Sequence, residues 1–289
     1  MNTCELSNNE RVYFGLVPVN DYWERRMLSE TVSVYFDKNA IVKILNYSHG
    51  YLEYDTDIDT IDRTKLAPRS AKGREQKLTV AKLQKIKGCG IQFCISFYGG
   101  GITVYDNKRN LFIIKSFDED GPILNFDDAN TWINKFINNA PQNYFTWLKN
   151  TLPQTRVIQH CKPGDIIAFK VAQNEYGFAR ILKGIMQRNA NGGFYDENSI
   201  LIHPRSLTVA VYAFTADSLL VDLDSLVLKK MLSSIYIFNN EVYYGEMPII
   251  GHRPLSEKDL AISLPTKIST GVTIYYTKTD INNFIKENS

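Results

Sequence analysis

Apolar and polar positions alternate along several short stretches of the chain. The run Thr31-Val32-Ser33-Val34-Tyr35-Phe36 has period two, as a half-buried strand does. Asp37-Lys38-Asn39 punctuates it, and 41–45 reads as a second strand. Further strands are predicted over 91–97, 102–105 and 111–115. They are joined by Tyr98-Gly99-Gly100-Gly101, which can take positive φ, and by Asp106-Asn107-Lys108-Arg109-Asn110, so the three form a meander. The period then lengthens. Trp132, Ile133, Phe136 and Ile137 share one face of a helix that Asn125 or Asp127 can cap. Pro141 suits the first turn of another helix carrying Tyr144, Phe145 and Leu148, which Thr151-Leu152-Pro153 ends.

The second half opens with the turn Lys162-Pro163-Gly164-Asp165 and returns to strands at 166–171, 176–182 and 208–214. The stretch 218–232 is apolar but irregular. Asn239-Asn240 between two apolar pieces predicts a hairpin, 272–276 a last strand, and 280–286 a short helix. The pattern gives an α+β protein of two domains. An antiparallel sheet with helices is expected over 1–155, and a mainly β domain with short helices over 160–289.

Composition changes this picture little. The 289 residues are 44% hydrophobic and 22% charged, ordinary globular values that need no metal or disulfide staple. A net charge of +2 argues against dedicated duplex DNA binding, where a basic excess supplies most of the affinity. The N-terminus lacks the basic and apolar regions of a secretory signal, and no apolar run approaches the roughly 20 residues a bilayer requires. A cytoplasmic protein with no membrane contact is therefore expected. Cys89 and Cys94 lie five apart and no second pair follows, a poor spacing for zinc, so neither metal nor cofactor is expected.

Charge is segregated between residues 53 and 87. Glu53, Asp55, Asp57, Asp59 and Asp62 form an acidic run; Asp55, Asp57 and Asp59 share one face if the chain is extended. The sign then flips: Arg63, Lys65, Arg69, Lys72, Arg74, Lys77, Lys82, Lys85 and Lys87 oppose only Glu75, and read as an exposed loop with a short helix over 78–86. The basic stretch could contact phosphates while Phe93, Phe97 and Tyr105 stack on bases, a nucleic-acid-binding reading that uses Arg63, Arg69, Lys72 and Arg74. The bland alternative is a solvated loop over a sheet whose aromatics face the core. The acidic run could steer the protein onto the cationic cleft of a nuclease, or simply discourage sheet-to-sheet pairing.

Catalytic signals are few. The four histidines show no metal spacing, and neither a G-x-S-x-G elbow nor a P-loop occurs. A hydrolase could pair Cys161 with His160 or His203, or Asp165 with His252, but a nucleophile also needs an orienting third group.

Lys162-Pro163-Gly164-Asp165-Ile166-Ile167-Ala168-Phe169 and Tyr176-Gly177-Phe178-Ala179-Arg180-Ile181-Leu182 resemble the immunity protein 26 family of bacterial polymorphic toxin and contact-dependent inhibition systems. So does 244–255, although that block usually has Trp where Met247 stands. The resemblance covers the C-terminal half only. It implies a cytosolic antidote that binds one cognate toxin, encoded just upstream, and is not an enzyme. It implies no catalytic set, and makes Gly164 and Gly177 turn or packing residues. With a nuclease as the toxin, the expected contacts are Glu53, Asp55, Asp57 and Asp59, followed by Asp118, Glu119 and Asp120.

Overall fold

The computed structural model describes residues 5–67, 72–86, 88–99, 101–116, 120–184, 205–262 and 278–287. The chain divides into two compact units, Met1–Thr155 and Arg156–Ser289. Among the described residues the fold is α+β, with every strand pairing antiparallel.

The first unit begins with helix α1 (Asn8–Tyr13), held by a capping box in which Ser7 and Glu10 satisfy each other's backbone N–H. Strands β1 (Glu24–Met27), β2 (Val32–Asp37), β3 (Ala40–Asn46) and β4 (Gly50–Ile61) follow, then β7 (Ile91–Ser96), β8 (Gly101–Asp106) and β9 (Leu111–Lys115). They form one sheet in the order β1-β2-β3-β4-β7-β8-β9, and the two-residue strands β5 (Lys65–Leu66) and β6 (Gln76–Lys77) extend from the far end of β4. Alternation sorts the side chains. Leu45, Tyr51, Phe93, Ile95, Ile102 and Val104 face one side, with α3 (Phe126–Asn138) and α4 (Tyr144–Thr151) supplying Trp132, Ile133, Phe136, Tyr144 and Leu148. Val34, Phe36, Ile44, Tyr54 and Ile58 face the other side, against Leu83 of the short helix α2 (Val80–Leu83). Burying each such large side chain contributes about 1.5–3 kcal/mol.

Asn125 caps α3 through bonds from Asp127 N and Asp128 N, as the sequence suggests. The next helix starts later than expected. Pro141 accepts from Tyr144 N in a turn outside α4, and Asn143 takes the N-cap position without a side-chain cap bond.

In the second unit β10 (Asp165–Ala172), β11 (Glu175–Lys183), β12 (Ser206–Ala216), β13 (Ile235–Phe238) and β14 (Ile249–His252) form a sheet in the order β13-β12-β11-β10-β14. Both faces are covered. Ile167, Val171, Ile181, Leu207, Val209 and Ile281 of α8 (Lys278–Glu287) pack on one side. Ile166, Ala168, Phe178, Tyr212 and Leu226 of α5 (Leu223–Leu226) pack on the other. Gly177 lies opposite Phe169, and a Cβ there would stand 2.6 Å from the Phe169 ring, so the position has no room for a side chain. Gly164 has φ +93 and would meet Arg253 O at 2.6 Å.

The Asn239-Asn240 hairpin is not formed. Asn239 opens helix α6 (Asn239–Tyr243), because β13 pairs with β12 and the next residues turn inward: Val242 is fully buried and Asn239 N bonds Arg205 O. Tertiary burial overrides the local turn preference. The strand expected over 272–276 lies outside the described residues.

Candidate functional site

The acidic run falls on β4, where alternation places Glu53, Asp55, Asp57 and Asp59 on one face. The structure divides them into two pairs. Glu53 is completely buried beneath the N-terminal segment. Its Oε1 receives Arg11 Nε at 2.8 Å and Lys43 Nζ at 2.7 Å, and its Oε2 accepts from the Tyr51 hydroxyl. Lys43, also fully buried, stands opposite Asp55 in register and reaches its Oδ1 at 2.6 Å, while Val17 N donates to Asp55 Oδ2 at 3.0 Å. Arg11 continues outward to Glu5 at 2.7 Å, and Glu5 also meets Arg25 at 2.9 Å and the Tyr35 hydroxyl at 2.7 Å.

This cluster is internally balanced, with three cations against three carboxylates. Burial alone would raise the Glu53 carboxyl, but Lys43 and Arg11 hold it below its ordinary value. Burial wins at Asp55, whose carboxyl lies above its ordinary value despite Lys43 and the Val17 amide. Burial also pushes the Tyr35 hydroxyl up to about 12. A carboxylate so fully engaged has no open lone pair for a partner. The cluster fastens α1 and the residues after it to the sheet, so Glu53 and Asp55 are withdrawn from the expected contact surface.

Asp57 and Asp59, farther along the same face, are exposed. Asp57 acts on Cys89, whose thiol is raised first by burial and then by the charges of Asp57 and Asp55. Asp120 is tied down by Trp132 Nε1 at 3.0 Å and Lys135 Nζ at 2.8 Å. Asp118 and Glu119 lie outside the described residues.

The aromatic platform is not assembled for stacking on bases: Tyr105 packs edge-on against Phe112 at 5.1 Å and donates to Asn110 Oδ1. Phe93 is fully buried among the helices and is not available to stack on a base; Phe97 packs edge-on against Phe126 at 5.0 Å. Buried alternation, not solvent, decides where these rings point. Arg63 Nε donates to Lys38 O at 2.6 Å, and its guanidinium also pairs with Glu24. Lys65 pairs with Glu75 at 2.7 Å. Lys72 and Arg74 are exposed, and Arg69 lies outside the described residues.

In the second unit Asp165 and His252 do meet: Oδ1 stands 2.8 Å from Nδ1, across the β10–β14 pair. Asp165 Oδ2 accepts from Lys162 N at 2.8 Å, so the carboxylate closes the turn before β10. Cys161 lies near enough to feel the charge of Asp165: burial raises its thiol, and that charge adds to the effect. The thiol donates to Asn239 Oδ1 at 3.4 Å, the environment of a protonated packing residue. His160 stacks edge-on against Tyr243 at 5.8 Å, and His203 lies outside the described residues. Arg180, 2% exposed, reaches Tyr212 Oη at 3.2 Å, Arg253 O at 2.9 Å and Asp259 at 3.6 Å, pinning the segment after β14 to the sheet. Among the described residues no group of three or more His, Cys, Asp or Glu is placed to hold a metal ion.

One surface feature escaped the sequence reading. In the segment between β12 and β13, Leu219, Val221, Leu223 and Val227 pack on the sheet, while Leu220 is 95% and Leu228 84% exposed. The segment is built, not loose. Asp222 caps α5, receiving Asp224 N at 3.1 Å and Ser225 Oγ at 2.5 Å, and Arg253 Nε reaches Asp224 at 2.7 Å. The available signal was the apolar stretch 218–232, which holds more leucines than one short irregular segment can bury.

Comparison with known families places a match on this unit. Residues 162–271 match the family described as Immunity protein 26. The matched region carries β10 to α7 (Glu257–Leu260), including Asp165, Arg180 and the exposed leucines. No curated protein and no solved structure matches the chain. Among the described residues no helix is long and apolar enough to cross a membrane.

Proposed function

We propose that this protein is an immunity protein: it binds a cognate bacterial toxin and neutralises it by covering the toxin's active site. The match of residues 162–271 to an immunity-protein family carries the reading. The geometry is consistent with binding. In the matched unit Asp165 closes a turn and Arg180 pins a loop, so neither is offered to a partner.

We assign the apolar contact to Leu220 and Leu228, which a rigid, capped segment holds in water. Pre-formed apolar anchors lose little freedom on binding, so more of their contact energy appears as affinity. A nuclease is the toxin class we favour, because Asp57 and Asp59 present two exposed carboxylates on one face of a strand and nuclease clefts are cationic. Family membership serves several toxin activities, so the nuclease is carried by charge alone.

The test is to co-express the full chain with the toxin domain encoded just upstream, follow growth, and purify the complex. A stable complex of defined stoichiometry in cells that survive supports the reading. Cell death with no complex formed would remove it.

A further inference from the structure

We infer that Arg156, Val157, Ile158, His160, Tyr243 and Tyr244 form a contact surface of the second unit for an acidic, aliphatic segment of the cognate toxin. The inference rests on the immunity reading and adds a second contact to the one assigned to Leu220 and Leu228. It concerns a part of the toxin separate from the cationic cleft that Asp57 and Asp59 would face.

The segment 156–160 is neither helix nor strand, yet one residue fixes it. Gln159 Nε2 donates to Val242 O at 2.7 Å and to Met247 O at 3.4 Å, and its Oε1 accepts from Ile249 N at 2.9 Å. Its backbone N–H donates to Tyr243 O at 2.9 Å. The amide thereby uses both of its donors and its acceptor. The acceptors it reaches belong to Val242 and Met247, whose own side chains are buried. Val157, 59% exposed, and Ile158, 51% exposed, flank this anchor and are held in water beside it. Anchoring of this kind lowers the entropy lost when a partner binds. The surface borders β14 through Ile249. The leucine segment borders the same strand, since Gly251 lies against Leu223 and Arg253 is held by Asp224, so the two surfaces flank β14.

The chemistry of the surface selects its occupant. Arg156 lies over the Tyr244 ring, with its guanidinium carbon 3.8 Å from the ring centre. Tyr244 packs edge-on against Tyr243 at 5.0 Å, and Tyr243 against His160 at 5.8 Å. No hydrogen bond or ion pair from a described residue reaches the Arg156 guanidinium, and its side chain is exposed. The ring therefore positions the guanidinium and leaves its fork of N–H donors in water, the arrangement that receives a carboxylate in two parallel bonds. No acidic residue lies between Thr155 and Gly164, and Lys162 in that stretch is also exposed. Of the acids beside Tyr243 and Tyr244, Glu241 is buried and Glu246 half-buried. A positive and apolar surface is complementary to a segment that sets a carboxylate beside aliphatic side chains. Arg and Tyr are also the side chains in which binding energy concentrates at protein interfaces.

The test titrates a toxin domain taken from the reading frame just upstream into the intact protein and its variants, by calorimetry. Arg156→Ala is expected to weaken binding about thirtyfold. Arg156→Lys keeps the charge but loses the stacked fork, and is expected to weaken it about tenfold. Val157→Ser with Ile158→Ser is expected to cost about tenfold as well. The melting temperature is expected to stay unchanged in each variant, since the altered side chains are exposed. Double-mutant cycles then combine Arg156→Ala with each Asp→Asn and Glu→Gln change in the toxin domain. One toxin carboxylate is expected to couple to Arg156 by about tenfold or more. Wild-type binding that Arg156→Ala leaves intact, or coupling to none of the carboxylates, would overturn the surface while the immunity reading stands. No binding by the wild type would overturn both.

Discussion

The two units solve the same packing problem with different materials. Each has an antiparallel sheet with both faces covered. The first unit buries Arg11, Lys43, Glu53 and Asp55 between its sheet and its N-terminal segment. Among its described residues the second buries Asp165, Arg180, Glu241 and Asp259, and uses Arg180 and Asp259 to pin a loop. A buried ion network is expensive to desolvate but strict about geometry, so it fixes where the N-terminal segment docks. A largely apolar sandwich leaves its loops freer to carry contacts. Both units expose large apolar side chains, Leu124 and Tyr98 in the first and Leu220 and Leu228 in the second, and the second is the unit that resembles an immunity-protein family. The difference teaches that the conspicuous charges of this chain mark its internal fastening more than its recognition surface.

The largest expected effect breaks that contrast from the first unit. Lys43→Met leaves Glu53 and Asp55 short of a shared cation, and is expected to cost about 3–5 kcal/mol in denaturant unfolding. A cost below 1 kcal/mol would mean that the network is not a fastening. The next effect comes from the second unit. Leu220→Asp with Leu228→Asp is expected to weaken toxin binding by about 2 kcal/mol or more, close to thirtyfold, with the unfolding midpoint unchanged. Binding by calorimetry and melting by circular dichroism separate the two.

A smaller effect is expected at the exposed end of β4. Asp57→Lys with Asp59→Lys should weaken a cationic toxin by about 1 kcal/mol, chiefly through a slower association rate, and should flatten its salt dependence. An unchanged association rate across 50–300 mM salt would take these acids out of the contact and remove the charge argument for a nuclease.

The smallest effect is a slope. Glu53 has a lowered carboxyl pKa, so its stabilisation is present above the unfolded value of 4.5 and is lost as pH falls through its folded value. Asp55 has a raised pKa, so its contribution runs the other way: it is full below 3.8 and lost as pH rises. Asp55→Asn should therefore make stability fall more steeply between about pH 5 and 3 than in the wild type. A shallower slope in the variant would reverse the assigned direction.

Much of the architecture was legible because strands announce themselves by period. The pairs over 32–46, the meander from 91 to 115 and the Asn125 cap lie close to where the pattern puts them. The capping box Ser7-x-x-Glu10 was equally readable and passed unread. What was not legible depended on partners distant in sequence. Asn239-Asn240 has turn chemistry, yet burial of Val242 makes a helix there. Glu53 and Asp55 look like solvated acids until Lys43 across the β3–β4 pair and Arg11, 42 residues from Glu53, are brought beside them. Alternation gave Asp55, Asp57 and Asp59 one face, which Glu53 shares, but could not say that Glu53 and Asp55 are buried in ion pairs. Leu220 and Leu228 were hidden for the opposite reason, since an apolar residue in an apolar stretch is ordinarily taken to be inside.

The measurement that tests the central claim most directly is titration, with the purified full chain, of the activity of a toxin domain taken from the reading frame just upstream. The account predicts linear loss of activity to a sharp end point at a fixed molar ratio, with a complex that co-elutes at that ratio. Undiminished toxin activity at a large molar excess of this protein, with the two eluting separately, would contradict it.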